Sequence, residues 1–388
     1  MNYQEKIDVV SRDQIILLCA RALRLYDTRL VDHGERVAHI ALCLRQCLPQ
    51  PECLDVKTLI ILAVFHDIGA FKTDEIDRML NFENGDVKNH SVYGYLFFKY
   101  FTPLSHMSEV ILYHHSSVEE TQDFAFRDYA NLIYLADRID IAIVRGTAQQ
   151  DLLAKVDRPY FRADYVAALR TALTATDMYA VVAGGTFKEK LQQKISELDI
   201  SSEEAATYLR MLVYTIGFKS QYTVLHSLNT TVISVFLARK LGFDATRVQK
   251  IYFAALVHDL GKMATPQSIL ESPDRLSPDQ MEIMRQHVRH TQQMIENLLP
   301  EDICRIAVRH HEKLDGTGYP FHKTAAELNH MERLFACLDI YQALTENRPY
   351  KKAFSHAEAL RILYENAADG KLDANIVRDI DICFRREA

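Results

Sequence analysis

Ten of the sixteen histidines fall into an order that occurs twice along the chain. In the first half the order is His33, His66-Asp67, His90, His114-His115 and Asp137. In the second half it is His226, His258-Asp259, His287, His310-His311 and Asp339. The offsets between the copies are 193, 192, 197, 196 and 202 residues. Loop insertions between fixed helices produce drifts of that size, so a duplicated domain is the simplest explanation. The chemistry that these residue types offer together is metal binding. A neutral imidazole supplies a nitrogen ligand, and the adjacent carboxylate can bridge two cations. Such a mixed set suits iron, manganese, zinc or similar first-row ions better than magnesium or calcium. A lone histidine on an apolar helix face is ordinarily a core residue, and His90 or His287 alone would be read that way. The adjacent pairs argue otherwise. Ile303, Ile306, Ala307, His310 and His311 follow the spacing 0, 3, 4, 7, 8, and so do Met107, Val110, Ile111, His114 and His115. Two neighbouring imidazoles on an inward stripe are costly to bury without partners. The other six histidines, His39, His106, His290, His322, His330 and His356, read as ordinary surface or core residues.

Helices must position these groups. Val248, Ile251, Tyr252, Ala255, Leu256 and Asp259 recur at helical spacing, with Gly261 as the expected stop. Ser277-Pro278-Asp279-Gln280 is a capping-box start with proline at the first helical position. Ile283, Met284, His287, Thr291, Met294, Ile295 and Leu298 form the stripe behind it. Ser201 and Glu204 form another capping box, opening a helix toward Gly217. Gly (13) and Pro (10) are scarce in 388 residues, and no run of alternating strands occurs, so the expected fold is all-α. The weakest stretch is about 184–203, which gives two expected domains, 1–190 and 191–388, each long enough for its own core.

The net charge of -7 argues against binding polymeric nucleic acid, which needs a basic footprint. The seven cysteines are odd in number and scattered, with no C-x-x-C, which fits a reducing compartment. The start, MNYQEKIDVV, shows no signal peptide, and the best apolar run, Leu59 to Phe65, is far short of the ~20 residues of a membrane span. A cytoplasmic protein without a membrane anchor is expected.

At His258-Asp259-Leu260-Gly261-Lys262 the sequence resembles the HD-GYP phosphodiesterases, a branch of the metal-dependent HD superfamily. The stretch from His310 to Pro320 matches their pattern HHExxDGxGYP at all eight fixed positions. Asp339-Ile340-Tyr341-Gln342-Ala343-Leu344 resembles the family's D-x-Y-D-A-L segment, and Arg348-Pro349-Tyr350-Lys351 its R-P-Y-K segment. The likeness runs from about Gln221 to Lys352.

The resemblance implies an all-helical domain holding two or three metal ions, usually iron or manganese. The implied ligands are His226, His258, Asp259, His287, His310, His311 and Asp339, with Asp259 bridging two ions. Lys262, Arg348 and Lys351 match positions that contact substrate phosphate, and Tyr319 sits in the loop that closes over the substrate. Trinuclear members carry a glutamate four residues before the first histidine, where this chain has Tyr222, so two ions are expected. Gln342 replaces the second acid of D-x-Y-D, a change expected to be tolerated because Asp339 is the ligand.

The first half resembles the HD superfamily more loosely. His33, His66, Asp67, His90, His114, His115 and Asp137 keep the ligand pattern, but Ala70 stands in place of Lys262, Ser116 in place of Glu312, and there is no GYP loop. It is expected to bind metal without independent catalysis.

The family's substrates are cyclic dinucleotides. Two metal ions about 3.5–4 Å apart can clamp a phosphate and acidify a water. The expected product is a linear 5′-phosphorylated dinucleotide, with Asp259 and Lys262 as the catalytic residues. A tandem HD plus HD-GYP chain resembles bacterial enzymes that degrade 3′,3′-cyclic GMP-AMP, the favoured substrate, with cyclic di-GMP second. The alternatives are a nucleotide-binding signalling module without turnover and another HD-type nucleotide phosphohydrolase.

Overall fold

The structure is a computed structural model of the chain that describes residues 9–24, 32–72, 88–156, 160–217, 219–347 and 352–385. Among these residues the secondary structure is helical, and the β pairing is one isolated bridge between Asp315 and Thr324. The chain forms two compact units, Cys19–Tyr208 and Leu209–Ala388, the latter together with the N-terminal segment up to Leu18.

In the first unit the His33–Gln46 helix packs on Val56–Phe65 and on Arg127–Val144. Lys88–Phe101 packs on the short Ile68–Lys72 turn of 3-10 helix and on Ser108–Tyr113. The Val56–Phe65 helix starts where Asp55 accepts the Thr58 N–H at 2.8 Å, which satisfies one of the orphan donors of its first turn. From Leu59 onward it is buried all round, so its long apolar run belongs to the core of this unit.

In the second unit Gln221–Lys240 packs on Ala245–Val257 and on His330–Thr345, and Ala245–Val257 packs on Glu301–Val308. Ser220, Asp244, Ser277 and Asn329 each cap a helix start; those at Ser277 and Asn329 are full capping boxes, completed by Gln280 and Glu332. The Ser201–Glu204 box is also formed, at 2.9 and 3.2 Å, before the Ser202–Ile216 helix.

Three expectations change. The Ala245–Val257 helix ends before His258, and Gly261 lies inside the following 3-10 turn, Leu260–Ala264, instead of stopping the helix. The stripe behind Ser277 is not one helix: it breaks at Gln286 into Pro278–Arg285 and His287–Ile295, and Ile283 is exposed. The paired histidines follow their helices instead of sitting within them, because Ser108–Tyr113 and Glu301–Val308 stop just before them. Among the described residues no helix is long and apolar enough to cross a membrane.

Candidate metal centres

The last turn of a helix leaves carbonyls without N–H partners. This chain fills several of them with histidine rings. His66 Nδ1–H donates to Ala63 O at 2.8 Å and His114 Nδ1–H to Ile111 O at 2.6 Å. His258 does the same to Ala255 O at 2.8 Å, His287 to Met284 O at 2.6 Å and His310 to Ala307 O at 2.6 Å. A carbonyl only accepts, so it fixes the proton on Nδ1 and leaves the Nε2 lone pair facing away from the helix. That is the tautomer a metal ligand needs.

In the second unit those nitrogens meet two carboxylates. His258 Nε2 lies 3.3 Å from Asp259 Oδ2 and 3.5 Å from Asp339 Oδ1. His287 Nε2 is 3.4 Å from Asp259 Oδ1, and His226 Nε2 is 2.9 Å from Asp339 Oδ1. His310 Nε2 is 3.5 Å from His287 Nε2, and His311 Nδ1 is 4.0 Å from Asp339 Oδ2. All seven candidate ligands therefore converge. His226, His258 and Asp259 form one group whose ligand atoms lie within 4.8 Å of one another, and His287, His310 and His311 form a second.

The buried Nε2 of His258 and Oδ1 of Asp259 have no hydrogen-bond partner. Orphaned polar atoms at full burial are expensive, and a cation shared by imidazole and carboxylate satisfies both. The donor set fits divalent first-row ions.

The electrostatics agree. Burial pushes Asp259 toward the neutral acid, but His258 and Lys262 override it and hold the carboxyl well below its usual range. Burial likewise opposes ionised Asp339, which the hydrogen bond from His226 and the nearby imidazole of His258 keep ionised. Burial opposes charge on His258 as well, yet the same two carboxylates raise its pKa to about 10, so a cation taking its Nε2 must displace a proton. Burial lowers His287 to about 4 and His310 to about 3, with His311 also pushed down. These three rings are neutral at pH 7, the form that ligates.

The first unit repeats the arrangement. Asp67 faces His66 at 3.2 Å, His114 at 3.3 Å, His33 at 3.5 Å and His90 at 3.6 Å. Asp137 faces His33 at 3.3 Å and His115 at 3.7 Å. Asp67, His90, His114 and His115 form one group able to hold an ion, and His33, His66 and Asp67 another. Burial disfavours ionised Asp67, but His66 and its other imidazole neighbours keep it ionised. Ala70 leaves this cluster without the cation that Lys262 supplies in the other. Arg138 pairs with Asp137 at 2.6 Å.

The glycine after each His-Asp has a steric reason. A Cβ on Gly261 would lie 1.9 Å from His287 O, and one on Gly69 would lie 2.0 Å from His90 O. Only glycine lets the backbone of His287 or His90 approach so closely. Thr291 strengthens this contact by accepting the Gly261 N–H at 2.9 Å and donating to His258 O at 2.9 Å.

A cavity of about 610 Å³ opens at the second cluster, walled by Tyr222, Lys262, Arg275, Met284, His311 and Tyr319. Lys262 Nζ donates to Asp259 Oδ2 at 2.6 Å. Tyr319 lies against His311 with ring centroids 4.7 Å apart, and the Arg285 guanidinium sits 5.2 Å from the Tyr319 centroid. Buried Glu312 holds the Tyr319 loop by accepting the Phe321 N–H at 2.7 Å and the Lys323 N–H at 2.8 Å. Gly318 is needed there because a Cβ would lie 2.4 Å from Glu312 Cα. Arg348 and Lys351 lie outside the described residues.

Comparison with known families decides the class. The HD domain family matches residues 214–376 and, separately, residues 30–142. This chain is a tandem HD-domain protein. It is 27% identical over 394 residues to 3'3'-cGAMP-specific phosphodiesterase 1 of Vibrio cholerae, spanning 95% of this chain and 90% of that protein. It is 34% identical over 190 residues to a cyclic di-GMP phosphodiesterase of Pseudomonas aeruginosa, spanning 46% of this chain and 45% of that one. The crystal structure of the V. cholerae cyclic GMP-AMP specific phosphodiesterase V-cGAP3 has a TM-score of 0.62 at 17% identity, over 97% of this chain and 98% of that one. That likeness is one of fold. Both HD domains carry their His-Asp pair at a helix end.

Two participants escaped the sequence reading. Asp140 accepts from His33 Nδ1 at 2.7 Å, and Glu346 accepts from His226 Nδ1 at 3.0 Å. Both follow the candidate ligand aspartate of their helix at helical spacing. Helical spacing is their trace in the sequence, and acids are too common on helices for it to single them out.

Proposed function

We propose that the protein is a metal-dependent phosphodiesterase that hydrolyses a 3′–5′ linkage of a cyclic dinucleotide, with the reaction in its second HD domain, of HD-GYP type. The observation that carries this reading is the convergence of seven candidate ligands, six buried and His311 half-buried, beside a cavity walled by Lys262 and Tyr319. Two divalent ions held by His226, His258, Asp259, His287, His310, His311 and Asp339 would supply Lewis-acid stabilisation of phosphoryl oxygens and acidify a water. Iron or manganese suits the ligands best.

The side chains do the rest. Lys262 stands at the cavity wall, where its ammonium meets negative charge building on a phosphoryl oxygen. Arg348 and Lys351 add cations on the same substrate. Tyr319 is half-buried, and desolvation pushes its phenol pKa up, so it remains a neutral donor and an apolar wall for a nucleotide. Glu312 fixes the loop that carries it. The product is a linear 5′-phosphorylated dinucleotide. We favour 3′,3′-cyclic GMP-AMP, with cyclic di-GMP second, because the relative named for the former aligns along nearly the whole chain. The first domain, residues 1–190, binds metal and regulates or supports the second, residues 191–388. The reaction is cytoplasmic.

The test is anaerobic turnover of each purified dinucleotide by iron(II)- or manganese(II)-loaded protein, with metal content measured alongside. Asp259→Ala is expected to remove metal from the second domain and all turnover. Full turnover by a protein lacking that metal would overturn the assignment.

A further inference from the structure

The two HD domains provide an internal comparison of the group behind the first ligand. In the first domain His33 Nδ1–H donates to Asp140 Oδ2 at 2.7 Å. Arg36 grips the same carboxylate through Nε at 2.6 Å and Nη2 at 3.1 Å. Asp140 comes three residues after Asp137, and the residue seven after it is Val144, which is 62% exposed.

In the second domain the residue three after Asp339 is Gln342, and the residue seven after is Glu346. Gln342 offers an amide in place of the expected acid. His226 Nδ1–H donates instead to Glu346 Oε2 at 3.0 Å, while its Nε2 faces Asp339 Oδ1 at 2.9 Å. Offsets of three and seven fall on one side of a helix, so a longer acid one turn on can reach the same ring. Glu346 caps the end of the His330–Thr345 helix, and Gln342 Nε2 donates to its Oε2 at 3.5 Å.

We infer that Glu346 is the positioning residue of the second metal centre, a carboxylate moved one helical turn along the chain to hold His226 as Asp140 holds His33. The inference rests on the reading that this centre binds metal. A carboxylate on the outer nitrogen fixes the tautomer, aims Nε2 inward and makes it a better donor to a cation. The change at Gln342 is therefore compensated, and the compensation is visible only in three dimensions.

The test titrates manganese(II) into the full chain carrying Asp67→Ala, so that the second centre alone reports. Glu346→Ala in that background is expected to weaken manganese binding about 10- to 100-fold. Adding Gln342→Asp is expected to recover most of the loss, a rescue that a general packing defect would not show. Glu346→Gln keeps the shape without the charge and is expected to fall between, which secures the comparison should the alanine variant unfold. Unchanged manganese affinity in Glu346→Ala and Glu346→Gln overturns the inference, and so does a double variant that binds no better than Glu346→Ala. Absence of manganese uptake before Glu346 is touched sinks the metal reading itself, and the inference with it.

Discussion

Seven of the ten cluster histidines are held by their second nitrogen. Five donate it to a helix-end carbonyl, and His33 and His226 donate it to a carboxylate. His39 lies one turn and a half beyond His33 on the same helix but belongs to neither class. It is 6% exposed, and its Nε2 lies 3.7 Å from the Cys43 thiol. Burial, assisted by Lys190, lowers its pKa to about 4 in the folded protein, against about 6.5 in an unfolded chain. Between these values the unfolded state takes up a proton that the folded state does not. The stabilisation is thus complete above pH 6.5 and is lost as pH falls to 4, a change of about 3 kcal/mol. Comparing His39→Gln with the parent isolates this from the clusters, which titrate in both. The variant should show a shallower fall of unfolding free energy over that window, and parallel curves would refute the assignment. At this scale the candidate ligands could be picked out from residue type and order alone, because a repeated His-Asp and His-His pattern has few other uses. Asp140 and Glu346 could not, because acids are common on helix surfaces and nothing in the sequence distinguishes one that turns inward.

At the scale of elements, the site is made by helix ends and by close approach between them. The periodicity of the sequence marks where helices run but not where they stop. The Ala245–Val257 helix ends at His258 because the chain must turn to bring Asp259 beside His287, and the ring of His258 takes a carbonyl of the final turn. The apparent single stripe from Ile283 to Leu298 breaks for a related reason: the ring of His287 takes Met284 O at the break. Neither event leaves a periodic trace. The glycines do leave one, since each follows a His-Asp pair by two residues, but their purpose is contact and not termination. Gly261→Ala places a Cβ against His287 O, a clash that must push the Leu260–Ala264 turn and the His287–Ile295 helix apart. The expected cost is about 3 kcal/mol, at the upper end for overpacking, together with weaker manganese binding. Calorimetry and metal titration check both, and unchanged values in the two measurements would remove the close-approach argument.

Across the whole molecule, duplication was visible as a repeat of ligands, while the difference between the copies lies in what surrounds them. Among the described residues the first domain's cluster has no lysine beside Asp67 and no glutamate-clamped loop; the second has Lys262, Glu312 and Tyr319. The two centres should load separately. Asp67→Ala is expected to remove only the first domain's metal and Asp259→Ala only the second's, as counted by elemental analysis of each purified protein. Loss of all metal from either single variant would show that the centres depend on one another.

The ring-to-carbonyl bonds also bear on how such a centre survives divergence. The aim of each imidazole is stored in the main chain, which every residue type carries. Ile111 and Ala307 occupy corresponding places in the two copies and differ in side chain, yet each carbonyl accepts its histidine at 2.6 Å. The surroundings can therefore drift freely while the ligands stay pointed, and a copy that has lost its substrate grip can still keep its metal site through many further substitutions.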